Sequence, residues 1–331
     1  MGTLRTILYY IIIFVSTIII VASLFSLVYD VSYWYSKVLD FPRTQYLIAG
    51  VGCLLLFSLL NRKWNKASVA LTLGLLAAIL IQSILVLPYL VGERPVPEAT
   101  ADTVDQQSTV GILLANVLIT NEQAAIFLDI VRQRDADMVL VMEVNDRWMR
   151  QLQPLEETYA HTVKHPTDNS YGMTLYSKFP LEESEVMFFN HDDVPSIHTQ
   201  VQLPSGKAFW FHGVHPVAPV PKKKYPDNRG EKEVALGEVA ELVAAETLPA
   251  IVAGDFNDVS WSRTARLFEN QADLRNVRLG RGLYSTFDAN SWIMRWPLDH
   301  YFVTESVRLL ELERLPAFGS DHFPMYARFA L

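Results

Sequence analysis

From Ile7 to Val28 the chain runs without a single charged residue. At 1.5 Å of rise per residue, a helix of that length crosses a bilayer hydrocarbon core of about 30 Å. Ala67 to Leu90 forms a second such run. Between them Tyr46 to Leu60 is also charge-free but shorter, and it spans only if it stands nearly upright or if Arg43 and Arg62 snorkel to the interfaces. Half of all residues are hydrophobic and only 19% are charged, an excess that these runs account for. Residues 1–90 are therefore read as a helical membrane region with about three transmembrane helices.

A cleaved signal peptide competes for the first run. Its apolar core would exceed the usual length of roughly 7–15 residues, and no small-x-small site precedes Tyr33-Trp34-Tyr35. That aromatic cluster, with Tyr29, reads instead as an interfacial belt. Arg5 precedes the first run, and Arg62, Lys63 and Lys66 fill the loop between the second and third. Basic segments are held back from translocation, so these two are expected to be cytoplasmic. The loop from Asp30 to Arg43 is balanced in charge, and Gly92 to Asp105 is acidic with prolines. Both are expected outside, which makes the chain a multi-pass protein of the inner membrane with its C-terminal part periplasmic. The spans hold almost no ionisable residues, which argues against a transporter.

Residues 91–108, with Pro95, Pro97 and scattered acids, read as a linker without a core-forming pattern. From 109 to 331 short apolar strands alternate with amphipathic helices. Asn121 to Arg134 is predicted as one helix, with Ala124, Ala125, Phe127, Leu128 and Val131 on a broad apolar face and Asn121 as its cap. Asp227 to Thr247 is predicted as another, with Val234, Val239, Leu242 and Val243 inward. Composition and pattern give α/β or α+β.

The strands end in chemistry. Leu113-Leu114-Ala115 ends in Asn116, Met138 to Met142 in Glu143, Phe209 to Val214 in His215, and Ala250-Ile251-Val252-Ala253-Gly254 in Asp255 with Asn257 two positions on. Pro297-Leu298 opens a strand with Asp299, and Ser320-Asp321-His322 opens the last. Residues two apart at a strand end share a side, where backbone is open to a ligand. Any one of these pieces has an ordinary explanation: Gly-Asp-x-Asn is a common turn, and Glu143 could cap a helix starting near Asn145.

Taken in order, they resemble the endonuclease/exonuclease/phosphatase superfamily, which includes deoxyribonuclease I, exonuclease III, sphingomyelinases and inositol polyphosphate 5-phosphatases. The resemblance runs from about Thr109 to Leu331 and includes Tyr171-Gly172-Met173-Thr174-Leu175-Tyr176-Ser177-Lys178-Phe179-Pro180. Around Gly-Asp-Phe-Asn-Asp-Val-Ser-Trp-Ser it is similar to a membrane-attached bacterial branch. The resemblance implies an α+β fold, a four-layer sandwich of the deoxyribonuclease I type. It also implies hydrolysis of a phosphoester by an activated water.

The roles it implies are these. Glu143 holds the metal, assisted by Asn116 and, through water, by Asp321. Asp255 orients or deprotonates the attacking water, and Asn257 donates to the phosphate or fixes that water. His322 and Asp299 form a His–Asp pair in which the carboxylate sets the tautomer. His215 stabilises charge on the other side of the phosphate. In one respect the chain departs from the pattern: where the exonuclease III branch carries an acid two residues after Asn116, it has Leu118, which leaves a second metal site in doubt.

Chemistry narrows the metal. The only cysteine, Cys53, lies in the second span and no His-Glu-x-x-His is present, so oxygen ligands remain, the preference of magnesium or manganese. His212, three residues before His215, should face the other way, and His300 beside Asp299 is read as structural. His161, His165, His191 and His198 lie in surface-like polar surroundings.

Two loops are candidates for specificity. Lys222, Lys223 and Lys224 follow His215 and either grip an anionic substrate or form a solvated loop. Trp292, Arg295 and Trp296 precede Asp299 and either stack on substrate or pack under the last hairpin. From Thr109 onward 21 Lys and Arg stand against 30 Asp and Glu, a balance unfavourable for duplex binding. The substrate classes are thus a phospholipid, a lipid-linked phosphate or nucleic acid, with no obligate protein partner marked. The alternative is a catalytically silent envelope-binding or scaffolding protein that retains the fold.

Overall fold

The first quarter of the chain turns its apolar side chains outward. In the computed structural model, which describes residues 2–28, 33–220, 226 and 234–331, helices α1 (Gly2–Phe25), α3 (Arg43–Leu60) and α4 (Lys66–Leu90) are each long and apolar enough to cross a membrane. A short helix, α2 (Trp34–Lys37), precedes α3. Ile12, Ile19, Phe57, Leu75 and Ala78 form the seam of the three-helix bundle, while Phe14, Ile48 and Leu80 face out. Apolar in the seam and outside alike, these helices lack the polar outer face of a water-soluble helix. Polar side chains lie in the seam: Arg43 Nη1 donates to Gln82 Oε1 at 3.0 Å, and Gln82 Nε2 to Ser23 Oγ at 2.8 Å. Arg43 does not snorkel. It is buried and paired with Asp40, and this neutralisation lets α3 start three residues earlier than the charge-free run.

The 91–108 segment packs closely against the rest. Val96 is fully buried in the central core, and Ala99 N and Leu309 O bond at 2.9 Å. This corrects the expectation of a segment without core contacts.

After it the chain forms two six-stranded sheets. The first is built from β1 (Thr109–Asn116), β2 (Met138–Met142), β3 (His161–His165), β4 (Met173–Ser177), β11 (Arg308–Arg314) and β12 (Met325–Ala330), in the order β11-β12-β1-β2-β4-β3. The second is built from β5 (Leu181–Met187), β6 (Ser196–Gln202), β7 (Ala208–Val214), β8 (Ala250–Asp255), β9 (Arg275–Asn276) and β10 (Asp299–Val303), in the order β5-β6-β7-β8-β10-β9. Ile112, Leu114, Leu140 and Met142 of one sheet pack on Phe209, Phe211, Ile251 and Tyr301 of the other. On the outer faces, α5 (Ala124–Arg134) and α6 (Asp146–Leu152) cover the first sheet, and α7 (Ala235–Ala245) and α8 (Arg263–Gln271) the second. The result is a four-layer sandwich with helices outside and sheets inside.

Each sheet has a parallel pair at its centre, β1 with β2 and β7 with β8, bridged by α5 and α7 respectively. A parallel pair places both C-terminal ends side by side. Asn116 therefore pairs with Met142, just before Glu143, and Val214, just before His215, pairs with Gly254, just before Asp255. Antiparallel β10 begins at the same end, with Asp299 opposite Asp255.

Two helix starts differ from expectation. The first outer helix begins at Ala124, Asn121 does not cap it, and Ala125, expected on the apolar face, is exposed because the buried stripe runs through Ala124, Phe127, Leu128 and Val131. Asn121 Oδ1 instead accepts from Gln123 N at 3.0 Å, and Nδ2 ties Val117 O to Phe318 O. The other begins at Ala235, with Val234 exposed at its N-cap. The expected residues 227–233 lie outside those described.

Candidate active site

Asp255 is the hub. Only 1% exposed, its Oδ2 lies 3.1 Å from Asn116 Nδ2, 3.5 Å from His322 Nε2 and 3.6 Å from His215 Nε2. Its Oδ1 accepts from Asn257 N at 2.8 Å, and its own N–H meets Met142 Sδ across the sheets at 3.2 Å. Gly254 makes this approach possible: its φ is +152° and a Cβ there would fall 1.8 Å from Val214 O. Asn257, at φ 51°, donates through Nδ2 to Pro216 O at 3.0 Å, which fixes the loop after His215.

Asn116 ties two carboxylates together, since its Nδ2 also donates to Glu143 Oε1 at 3.1 Å while its Oδ1 accepts from Leu118 N. Glu143 sits just past β2 at φ 62°, a left-handed conformation that costs a non-glycine residue energy and recurs at functional positions. Its Oε2 accepts from Ile119 N at 3.2 Å. Gly172 lets the two segments close, because a Cβ there would overlap Val144 O.

His322 Nδ1 donates to Asp299 Oδ2 at 2.8 Å, which turns Nε2 toward Asp255. Burial alone would push the imidazole pKa down, but Asp299, Asp255 and Asp321 together raise it to about 10. At neutral pH this histidine is an imidazolium. The carboxyl of Asp321 is raised by burial and by Asp255 and Asp288.

The structure thus brings Asn116, Glu143, His215, Asp255, Asn257, Asp299, Asp321 and His322 to one end of the two sheets. Lys222, Lys223 and Lys224 lie outside the described residues. Arg295 is held by the Phe323 and Trp292 rings, with Nη2 on Ala289 O at 3.3 Å. Trp296 packs against Phe287 and Phe41, whereas Trp292 is 91% exposed. His300 is fully buried and structural, bonded to Arg278, Ser260 and Asp258 O.

His198 corrects the sequence reading. It is buried, paired in register with His212, with the two Nδ1 atoms 2.8 Å apart. His212 does face away from the inter-sheet core that holds Phe209 and Phe211. Burial pushes the two pKa values down to about 4 and about 3. The unfolded chain takes up these protons near pH 6.5, while the folded state resists them until about pH 4. The pair therefore contributes stability that is present above pH 6.5 and is lost as pH falls from there toward 4. His212→Gln should flatten the decline in melting temperature between pH 7 and 5, and His212→Ala should leave turnover within several-fold. An unchanged pH slope would show that the pair is not its source.

Some supporting residues gave no sequence signal. Arg278, fully buried, braces the backbone carbonyl of Asp299, and burial lowers its own pKa to about 10. Thr286 Oγ1 accepts from Asp299 N at 3.3 Å. Ser320 Oγ donates to Asn116 O at 2.7 Å and accepts from His322 N, coupling β1 to the last site segment. The Ser-Asp-His triplet was visible, but the partner that gives Ser320 its place is 204 residues away.

The two packed sheets, the outer helices and a polar cluster where the parallel pairs end define a fold of the deoxyribonuclease I type. The chain belongs to the endonuclease/exonuclease/phosphatase family, whose model matches residues 113–322. Solved structures with this fold include the human Nocturnin catalytic domain with bound sulfate (17% identical, TM-score 0.54, covering 69% of this chain and 96% of that one) and Danio rerio TDP2 complexed with a single-strand DNA product (17%, 0.54, 68% and 100%). A mannosyl-6-phosphatase of Bacteroides thetaiotaomicron is similar too (18%, 0.50, 67% and 100%). Among curated relatives, UPF0294 proteins of Vibrio cholerae serotype O1 are 41% identical over 88 residues, 26% of this chain and 29% of theirs. The match spans less than a third of the length of those relatives.

Proposed function

We propose that the protein is a membrane-anchored, divalent-metal-dependent phosphoesterase, a phosphodiesterase or nuclease-like hydrolase that uses an activated water. The observation that carries this is the orientation of His322, with Nδ1 committed to Asp299 and Nε2 aimed at Asp255. A scaffold needs no such relay buried beside a second carboxylate.

The donor set fits a hard cation. Glu143, Asp255, Asp321 and Asn116 supply oxygens, Asp299 Oδ1 is buried with no hydrogen-bond partner among the described residues, and ligand atoms of Asp255, Asp299 and His322 lie within 4.8 Å of one another. With the imidazole already engaged by Asp299, Glu143 and Asn116 remain the first choice of ligands. Magnesium or manganese bound there would neutralise phosphoryl oxygens and lower the pKa of a water. Asp255 would orient that water and take its proton. The His322 imidazolium and His215 would meet negative charge on the phosphate, and Asn257 would hold the water or a phosphoryl oxygen. Arg295 and Lys222–Lys224 would bind the rest of an anionic substrate.

Activity should require magnesium or manganese and disappear with a chelator. Glu143→Gln should raise the metal concentration needed for half-maximal rate, and an enzyme equally active after exhaustive chelation would eliminate the reading. The discriminating experiment is a screen of purified protein with magnesium against nucleic acids, phospholipids, sphingomyelin and phosphorylated inositols. No hydrolysis of any would favour the silent, envelope-binding alternative.

Basic residues flank one end of the bundle: Arg5 Nη2 donates to Leu60 O at 2.7 Å, beside Arg62 and Lys63. We place that end in the cytoplasm and everything after Leu90 in the periplasm, in the inner membrane. Protease added to spheroplasts should remove the C-terminal domain, and its protection while an external control is digested would refute this orientation.

A further inference from the structure

The loop from Phe287 to Trp296 connects the site to the helical bundle. At its base Phe287 bridges both Trp296 and His322, with its ring 5.0 Å from the imidazole, and Ala289 N donates to Asp321 O at 2.7 Å. At its tip Trp292, Ile293 and Met294 are 91%, 74% and 47% exposed, three consecutive large apolar side chains presented outward. Water is a poor environment for such a tip.

What covers it follows from a single bond. Gln45 Nε2, in the first turn of α3, donates to Ile293 O at 2.7 Å. The 18 residues of α3 rise about 27 Å, close to the thickness of the hydrocarbon core, so the first turn of that helix must lie at the bilayer boundary. A loop bonded to that turn lies at the same height. Phe41, just before α3, stands edge-on to Trp296 at 5.5 Å, and exposed Tyr33, Trp34 and Tyr35 belong to the same end of the bundle. Aromatic side chains of this kind settle at headgroup level. The guanidinium of Arg295, 5.5 Å from the Trp292 ring, places a cation where anionic headgroups lie.

We propose that Trp292, Ile293 and Met294 insert into the outer leaflet of the membrane that the helices span, and that the site therefore takes a phosphoester carried on a lipid headgroup. The proposal rests on the reading of the chain as a membrane-anchored phosphoesterase. Free nucleic acid is the disfavoured source of the phosphoester, because the domain carries 21 basic against 30 acidic residues.

Insertion is tested without activity. In the full chain with Cys53→Ser and Ile293→Cys, an environment-sensitive fluorophore at position 293 is read in phosphatidylcholine–phosphatidylglycerol vesicles. Emission should shift to the blue and be quenched by lipids with a nitroxide near the headgroup. Water-like emission untouched by those lipids would overturn insertion. The substrate half is tested with Ile293→Asp, which should lower turnover of phosphoester lipids in vesicles by about tenfold or more while leaving hydrolysis of soluble bis(p-nitrophenyl) phosphate unchanged. Equal effects on both substrates would overturn it, as would wild-type protein that cleaves single-stranded DNA or the soluble diester but none of the lipids. Wild-type protein that cleaves none of them would sink the phosphoesterase reading instead, with insertion still decided by the quenching.

Discussion

Asp255→Asn and His322→Ala should each reduce turnover by about 100-fold or more, the scale on which a positioned proton-transfer or electrostatic group acts. Asp255 contacts Asn116, His215, His322 and Asn257 N within one buried volume, and an amide in its place keeps the shape while losing the charge that all of them face. The combination Asp299→Asn with His322→Ala should be scarcely worse than His322→Ala alone. Asp299 acts through the imidazole it orients, so the two losses do not add. Steady-state kinetics on folded protein, checked by circular dichroism, decides the matter. Full activity in folded Asp255→Asn would remove Asp255 from the mechanism.

Gly254→Ala should cost about 3 kcal/mol or more of stability, a large value for the loss of no contact at all. At φ +152° any side chain is strained, and the Cβ would stand 1.8 Å from Val214 O, inside the β7–β8 pair. Backbone cannot rotate away as a flexible side chain can, so the parallel pair must separate just where it delivers His215 and Asp255. Thermal unfolding reads the effect directly. A variant that melts with the wild type would mean that the strand ends are much softer than their packing implies.

The strand ends were legible in the sequence because an apolar run that stops at a polar residue marks both a core and its exit. Asn116, Glu143, His215 and Asp255 could be found this way one at a time, and Asp299 and His322 as polar residues ahead of the apolar runs that follow them. Their meeting could not, since it depends on parallel pairing within each sheet and on the two sheets lying face to face. Register likewise hid His198, whose polar neighbours suggest surface until β6 aligns it against His212. Arg278 and Thr286 were illegible for a related reason: they support the carbonyl and the N–H of Asp299, and backbone donors and acceptors leave no mark in a sequence. Residues 91–108 misled through their prolines, which say where a chain cannot be helical and nothing about whether Val96 is buried.

The attachment of the bundle to the sandwich has a kinetic consequence. The last turn of α4 is bonded to the sandwich through backbone, Gly280 N to Pro88 O at 2.9 Å and Gly282 N to Tyr89 O at 2.8 Å, and the Tyr89 hydroxyl reaches Ser260 O at 2.6 Å. Trp261 Nε1 adds a bond to Asp40 O at 2.7 Å. In the membrane-anchored phosphoesterase proposed above, a centre fastened in this way cannot search the aqueous phase as one on a long flexible stalk can. Its encounters with anything in the leaflet are collisions in two dimensions, governed by lateral diffusion and by mole fraction at the surface. Diluting such a substrate with inert lipid would then slow the reaction even when its total amount in the tube is unchanged.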